Sequence, residues 1–229
     1  MTTASEIASR SPIPLIDLAP LRNGLPGARE IAPALRHALE QVGFLIIVNH
    51  GVPQGLIDQT FAQAKRFHAQ DMAAKQAVMM NAHNNGYMAM ARYNVRTSRV
   101  SEDALPDMNE SFFIKRERPM NDPLALAGRR FAGRNEWPGD LPGFREALLD
   151  YTEAVDALGR RLLPAVALAL DAPADTFDAA FAESQFSLRL SHYPNVDRGE
   201  RQFGFSPHTD ANFMTFLAQS GVPGLQIKM

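Results

Sequence analysis

Residues 186–210 read FSLRLSHYPNVDRGERQFGFSPHTD, and the pattern of this stretch decides the fold. Its first eight residues alternate between two sets of side chains. Because successive side chains of an extended strand point to opposite faces, the alternation predicts a β-strand. One face carries Phe186, Leu188, Leu190 and His192, and the other carries Ser187, Arg189, Ser191 and Tyr193.

The stretch ends on His208 and Asp210, which are separated by a single residue. In an extended segment, residues i and i+2 face the same side, so this imidazole and this carboxylate can converge on one point. A facial-triad iron site uses two histidines and one carboxylate and leaves the opposite face open. The pair would supply two of those three ligands. On spacing alone, a loop histidine hydrogen-bonded to a neighbouring aspartate is the more common explanation.

Upstream of this stretch, the spacing of apolar residues predicts mainly helices. We expect one helix to start between Ala28 and Ala32, with Pro33 in its first turn, and to end near Val42. Further helices are predicted over residues 53–68, 71–80 and 143–170, the last bent at Pro164. Short strands are predicted over residues 12–18, 44–48, 111–115, 214–217 and 225–227, with residues 81–110 and 116–142 in loops.

Composition excludes several classes of site. The chain has 229 residues, a formal net charge of −2, six histidines and no cysteine. Thiolate nucleophiles, disulfides and cysteine-based metal sites are therefore excluded, and a metal would need His, Asp or Glu ligands. The charge balance gives no nucleic-acid footprint. Residues 1–12 lack an apolar targeting core and no stretch has the length of a membrane span, so we expect a cytoplasmic protein without membrane or nucleic-acid partners.

Six blocks, in order along the chain, resemble the isopenicillin-N-synthase-like branch of the 2-oxoglutarate/Fe(II) oxygenases. The later blocks are LRLSHYP from Leu188, SPHTD from Ser206 and GLQI from Gly224. The earlier blocks are PIPLIDL at residues 12–18, VGFLIIVNHGVP at residues 42–53, and NEWP with LPGF between Asn135 and Phe144.

The resemblance implies an α+β fold, in which an N-terminal helical and mixed region precedes the first strands of a double-stranded β-helix, or jelly roll. It implies a non-haem dioxygenase N-terminal region at residues 11–120, a linker and long core helix at 121–182, and a partial jelly-roll domain at 183–229. A polar inward face in such a barrel is typical of a ligand cavity.

The resemblance also implies roles for single residues. His208 and Asp210 would be Fe(II) ligands, and Tyr193 matches a tyrosine that contacts the co-substrate 2-oxoglutarate. Ser191 falls where many relatives have asparagine, so we expect a weaker contact there. Arg189 lies on the same strand face and is as consistent with a structural role as with a functional one.

The implied reaction oxidises a small organic substrate with O₂ and 2-oxoglutarate, by hydroxylation, desaturation or cyclisation. The family's third ligand, a second histidine, and its R-x-S pair lie beyond the H-x-D segment, whereas here no His follows His208 and no Arg follows Arg201. We therefore expect an incomplete jelly-roll core. Two alternatives remain: a non-catalytic fragment that self-associates through exposed strand edges, and an oxidase that does not use 2-oxoglutarate.

The other histidines have simpler interpretations. His50 follows a predicted strand and is expected to make a structural hydrogen bond in a turn. His37 and His68 are predicted on solvated helix surfaces. His192 is expected to pack in the core or sheet. His83 lies in a loop, where a substrate contact is the minor alternative.

Overall fold

The computed structural model of the protein describes residues 12–92, 105–197, 202–210 and 212–228. The fold is α+β, as predicted, and the chain divides into two compact units. The first unit comprises residues 1–57, 150–184 and 220–229, and the second comprises residues 58–149 and 185–219. Helix α5, Phe144–Ala169, begins in the second unit and continues into the first.

The first unit contains a two-stranded parallel sheet. Strand β1, Leu15–Asp17, pairs with β2, Ile46–Val48, and the parallel crossover between them includes helix α1, Leu25–Gln41. A short 3-10 helix, Ala19–Asn23, precedes α1. The helix buries one face, whose members recur at helical spacing: Ala28, Ile31, Ala32, Leu35 and Ala38.

The second unit contains a three-stranded antiparallel sheet in the order β3-β4-β5. Its strands are β3, Gly86–Met88, β4, Glu110–Lys115, and β5, Ser187–His192. In the register of β4 and β5, Glu110 is opposite His192 and Ser111 is opposite Ser191. The side chains of β5 therefore alternate as the sequence predicts, with Leu190 buried on one face and Arg189 on the other.

Further helices lie between the strands along the chain. Helix α2, Gln54–His68, leads to the short α3, Met72–Gln76, which Asp71 caps through its side chain and the Ala74 N–H. The remaining helices are α4, Pro123–Leu126, and α6, Asp178–Phe181.

An aromatic core joins the end of α2 and the start of α5 to the sheet of the second unit. Phe67, Phe112 and Phe144 are fully buried, and their ring centroids lie 4.6–5.4 Å apart. Rings at these separations add about 0.5–1.5 kcal/mol per pair to their burial. The core fixes the last turn of α2 against β4 and β5, which determines where polar residues at the edge of the core meet.

Two helix predictions need correction. Helix α1 begins at Leu25, before the predicted start, and Pro33 lies inside it. Pro26 occupies the first turn instead, and Gly27 approaches the Pro20 carbonyl so closely that no Cβ would fit. The predicted helix over residues 71–80 ends at Gln76. Strand β3 and helix α4 fall in segments predicted as loops, and α6 falls where no element was predicted.

Two strand predictions at the end of the chain are wrong. Residues 214–217 and 225–227 lie in described segments but form no strand. A strand needs a neighbouring backbone to satisfy its hydrogen bonds, and none of the described residues pairs with them in a sheet. The predicted buried strand at residues 44–48 is shorter, and Phe44 is exposed.

No helix in the described part of the chain combines the length and the apolar character that a membrane crossing requires.

Candidate functional site

His208 and Asp210 lie side by side, with 3.3 Å between Nε2 of the histidine and Oδ1 of the aspartate. The His208 Nδ1 is 2.7 Å from the Ser206 carbonyl oxygen. Because a carbonyl only accepts, Nδ1 carries a proton, and in a neutral ring Nε2 would then present its lone pair towards Asp210. The His208 side chain is 23% exposed and the Asp210 side chain 47% exposed, so both are open to solvent.

The segment before His208 is held by the residues that precede β4. Asp107 Oδ1 accepts hydrogen bonds from the Ser206 N–H at 2.9 Å and from the Ser206 hydroxyl at 2.5 Å. Asn109 donates to the Gly204 carbonyl at 2.6 Å, and the Met108 N–H donates to the Phe203 carbonyl at 2.8 Å. Asp107 and Ser206 are buried. The orientation of His208 therefore depends on a distant upstream segment of the chain.

The polar face of β5 meets the same segment. Arg189 donates to the Ser111 hydroxyl at 2.8 Å and to Asn109 Oδ1 at 2.6 Å, and its guanidinium lies 4.5 Å from the centroid of the Phe205 ring. Ser191 lies 3.4 Å from Ser111, between the two hydroxyl oxygens. Arg189 therefore has a structural role here, since its contacts tie β5 to β4 and to the stretch before His208.

Tyr193 lies just beyond the end of β5, where its side chain is 53% exposed. Ser191 is also exposed. The roles predicted for these two residues and for the His208–Asp210 pair stay predictions. The structure brings His208 and Asp210 together and places Ser191 on the Arg189 face of β5.

The His208–Asp210 pair fits a divalent metal. Two atoms that are each about 2.0–2.2 Å from one ion are separated by about 3 Å in adjacent positions. The observed 3.3 Å agrees with that separation. Metal-bound histidines usually donate their other N–H to a carbonyl or carboxylate, and His208 does so to Ser206. Among the described residues, no third His, Asp or Glu completes a group with this pair.

A second set of ligand-type residues was not predicted from the sequence. His68, Glu110 and His192 place one nitrogen or oxygen each within 4.8 Å of the others, and together they are the one such group of three in the described chain. Glu110 Oε1 is 3.3 Å from His68 Nδ1 and 2.9 Å from His192 Nδ1. Lys75 Nζ is 3.0 Å from Glu110 Oε2, and the Tyr87 hydroxyl donates to the same oxygen.

Burial controls the protonation of this cluster. Burial lowers the pKa of His68 to about 4, because desolvation outweighs the attraction of Glu110. Burial alone would raise the pKa of Glu110, but hydrogen bonds from Tyr87, His192 and Lys75 reverse this and lower it to about 2. Burial and the Glu110 carboxylate together raise the pKa of Tyr87 above its ordinary value. At neutral pH, His68 is therefore neutral and Glu110 is ionised.

The structure confirms some of the predictions for the other histidines and contradicts others. His50 makes the predicted structural hydrogen bond, accepting from the Val52 N–H at 3.1 Å, and His37 is exposed as predicted. The prediction for His68 is wrong, because it is buried against β5 and Glu110. His192 lies in the sheet, one of the two predicted positions: it is opposite Glu110 in the β4–β5 register and contacts that side chain, and its own side chain is 44% exposed. His83 lies against Gly133 and lines a cleft of about 220 Å³ together with Arg118 and Arg134.

Comparison with known families now identifies the class. Residues 13–140 match the family described as the N-terminal region of non-haem dioxygenases in morphine synthesis, and residues 184–229 match the 2OG-Fe(II) oxygenase superfamily. The chain therefore belongs to the 2OG-Fe(II) oxygenase family, as its sequence motifs indicate.

Curated relatives support this membership. The chain is 30% identical to a 2-oxoglutarate-Fe(II) type oxidoreductase, hxnY, of Emericella nidulans, over 93% of this chain and 62% of the relative. It is 31% identical to Kihadalactone A synthase LFS of Citrus sinensis, over 95% of this chain and 65% of the relative. The chain thus spans somewhat less than two thirds of the length of these relatives.

Solved structures show the same fold class. A full-length Neurospora crassa protein in complex with alpha-KG and thymine superposes with a TM-score of 0.65 at 27% identity, covering 80% of this chain and 55% of the Neurospora chain. A complex of JOX2 with 2OG, Fe and JA gives a TM-score of 0.65 at 26% identity, covering 86% of this chain and 53% of JOX2. A 2OG-Fe(II) oxygenase family protein from Caulobacter crescentus, at 22% identity, gives a TM-score of 0.68 over 84% of this chain and 59% of its own, and supports the fold alone.

Proposed function

We propose that this chain carries part of the active site of an Fe(II)- and 2-oxoglutarate-dependent oxygenase that oxidises a small organic substrate with O₂. The observation that carries the proposal is the His208–Asp210 pair, whose facing atoms are 3.3 Å apart while the other His208 nitrogen is held by a backbone carbonyl. Family membership supplies the reaction class, and the names of the relatives include 2-oxoglutarate-dependent enzymes.

Each residue of the pair has a distinct task in this proposal. His208 would offer the lone pair of Nε2 to the metal, because the Ser206 carbonyl holds a proton on Nδ1. Asp210 offers a carboxylate oxygen that offsets part of the metal charge. Bound Fe(II) supplies the redox chemistry by which 2-oxoglutarate and O₂ together oxidise a substrate C–H bond.

The protein also fixes the metal position through the residues behind His208. Asp107 holds Ser206 through two hydrogen bonds, and Ser206 in turn holds the His208 ring. A metal ligand must be held to about 0.5 Å to be useful in catalysis. Both Asp107 and Ser206 are buried, which limits how far the His208 ring can move.

Tyr193 and Ser191 are proposed to contact the co-substrate. Both side chains are exposed, and each carries a hydroxyl that can donate to a carboxylate. Ser191 is on the face of β5 where Arg189 and Asn109 already form a polar network. A Tyr193→Phe variant should therefore bind 2-oxoglutarate more weakly while retaining Fe(II).

The test is anaerobic Fe(II) titration of the 229-residue chain, followed by 2-oxoglutarate and measurement of the metal-to-ligand charge-transfer band. We expect saturable Fe(II) binding and a band, and His208→Ala should lose the band and one equivalent of bound Fe(II). The matched control is His37→Ala, which removes an exposed histidine of α1 and should leave both signals unchanged.

Three outcomes would contradict the proposal. Titration without saturation would exclude a metal site, and equal binding by His208→Ala would place the iron elsewhere. A chain that binds Fe(II) and consumes O₂ with substrate but shows no 2-oxoglutarate band would be an oxidase of the isopenicillin-N-synthase kind.

A further inference from the structure

The buried cluster formed by His68, Glu110 and His192 brings together three elements of the second unit. His68 ends α2, Glu110 opens β4 and His192 closes β5. Glu110 and His192 are opposite each other in the β4–β5 register, so the sheet itself sets their separation. The rings of His68 and His192 lie 5.1 Å apart between centroids. None of these residues belongs to the His208–Asp210 pair.

One ring nitrogen of His68 lacks a hydrogen-bond donor within the described part of the chain. His68 Nε2 is 3.3 Å from the Leu190 carbonyl oxygen, which can only accept, so Nε2 carries the proton. In a neutral ring, Nδ1 is then an acceptor, and it faces the Glu110 Oε1 acceptor at 3.3 Å. This buried Nδ1 has no hydrogen-bond partner among the described residues, and the His68 side chain is only 4% exposed.

Two acceptors that face each other in a buried position need a cation between them. Lys75 is the cationic side chain of the cluster, and its Nζ donates to Glu110 Oε2 at 3.0 Å and to Oε1 at 3.3 Å. Its hydrogen bonds go to Glu110 and to the His68 carbonyl, and none goes to the His68 ring.

We propose that His68 Nδ1, Glu110 Oε1 and His192 Nδ1 form a binding site for a divalent transition-metal ion of the Zn²⁺ type. Two imidazole nitrogens and one carboxylate oxygen are a ligand set that Zn²⁺ accepts readily. Ligand atoms each about 2.0–2.2 Å from one Zn²⁺ are separated by about 3.0–3.6 Å. The distances of 3.3 Å and 2.9 Å from Oε1 to the two nitrogens match or approach that range.

The surroundings of the three atoms are those of a metal site. The His68 N–H directed at the Leu190 carbonyl orients the ring, as the second hydrogen bond of a metal-bound histidine does. Tyr87 and Lys75 donate to Glu110 Oε2, and Oε1, which accepts a longer hydrogen bond from Lys75 at 3.3 Å, keeps a further lone pair for the ion. The His192 side chain is 44% exposed, which provides an entry path and a position for water. Metal binding would replace the contact of 2.9 Å between His192 Nδ1 and Glu110 Oε1 by bonds from both atoms to the ion.

The ion would have a structural effect, because it joins the end of a helix to two strands. Fixing His68 and His192 to one point stabilises the docking of α2 on the β4–β5 pair. A ligand that binds only the folded chain at a hundredfold excess over its Kd should raise the melting temperature of a protein of this size by about 5–10 °C.

The test uses the full chain carrying His208→Ala and Asp210→Ala, so that the proposed iron pair cannot contribute. Co²⁺ is titrated by visible absorption and Zn²⁺ by calorimetry after removal of bound metal with a chelator. We expect one ion per chain and the rise in melting temperature given above. His192→Gln, which changes an exposed ligand, should weaken binding at least tenfold, whereas the control His37→Gln should not.

Nitrogen NMR of the His68 ring in the metal-free chain gives an independent readout. The proposal predicts a neutral ring at pH 7 whose Nδ1 signal shifts when Zn²⁺ is added. A His68 ring protonated on both nitrogens and indifferent to Zn²⁺ would overturn it, since a proton would then be the missing cation. Unsaturable Co²⁺ binding, or equal binding by His192→Gln, would overturn it as well.

Discussion

Asp107 accepts two hydrogen bonds from Ser206 on one carboxylate oxygen, although the two residues are 99 positions apart in the chain. The Ser206 carbonyl in turn holds His208. The residue that orients the proposed iron ligand therefore comes from the chain segment before β4.

Replacing Asp107 with alanine should weaken both folding and metal binding. Loss of two hydrogen bonds to a buried carboxylate should reduce the free energy of unfolding by about 1–3 kcal/mol, measured by urea denaturation. Because the support of His208 is lost, Fe(II) affinity should fall about tenfold. Asp107→Asn keeps an acceptor oxygen and should lose less of both. Reduced stability with unchanged Fe(II) affinity would contradict a positioning role.

Glu110→Gln should be strongly destabilising, because it leaves Lys75 as a buried charge without its counterion. Lys75 and Glu110 are 7% and 6% exposed, and 3.0 Å separates Nζ from Oε2. Breaking a buried ion pair typically costs about 3–5 kcal/mol. The measurement is denaturant unfolding with a chelator present, which removes any contribution from a metal.

A double-mutant cycle separates the ion pair from the rest of the cluster. Lys75→Met combined with Glu110→Gln should cost less than the sum of the two single changes, because neither charge is then left alone. Additive costs would show that Tyr87 and the histidines, rather than Lys75, account for the effect.

Lys115→Met should stabilise the protein at neutral pH. Burial lowers the pKa of Lys115 from 10.5 to about 8, although Nζ donates to the Asn84 carbonyl at 2.9 Å. The charged side chain therefore opposes folding below pH 8, by about 1–3 kcal/mol.

Proton binding by Lys115 determines whether the free energy of unfolding rises or falls with pH. Between pH 8 and 10.5 the unfolded chain holds the Lys115 proton and the folded chain does not, so the native protein gains stability as pH rises. The advantage of Lys115→Met should shrink over that interval and vanish above it, as unfolding curves at several pH values can show. The same change at the exposed Lys65 should alter stability by less than about 0.5 kcal/mol.

Gly86→Ala should destabilise the second unit. Gly86 has a φ of 108°, and a Cβ there would lie 2.6 Å from the Val78 carbonyl oxygen. Strain of this kind and the shift of a backbone atom should together cost at least about 2 kcal/mol, observed as a lower melting temperature. Gly55→Ala is the matched control. No atom lies within 4 Å of a Cβ added at Gly55 in α2, so this substitution should stabilise the protein by up to about 1 kcal/mol.

The sequence predicts those parts of the fold in which local pattern and packing agree. The alternation of Phe186 to Tyr193 predicted β5, and the apolar stripe from Phe144 onwards predicted α5 within a residue at each end. For α1 the pattern conflicted with Pro33. Packing determines where α1 begins, because the small residues at its start allow it to approach the preceding 3-10 helix.

The His208–Asp210 pair could be predicted because its two members are neighbours in the chain. The contact of Asp107 with Ser206 joins residues 99 positions apart, and that of Glu110 with His192 joins residues 82 apart, so no local pattern encodes them. The predicted division at residues 120 and 182 stays a prediction. His68 was misassigned because helical spacing does not reveal which strand covers the last turn of α2.

The pairing of Glu110 with His192, and of Ser111 with Ser191, has a consequence for how the sheet assembles. A slip of one residue between β4 and β5 would turn every side chain of β5 over. Arg189 would then be directed at the aromatic core, and Leu190 at the polar network around Asn109. A misaligned pairing would therefore lose stabilising contacts on both faces of the sheet, so the native register of β4 and β5 is favoured during folding.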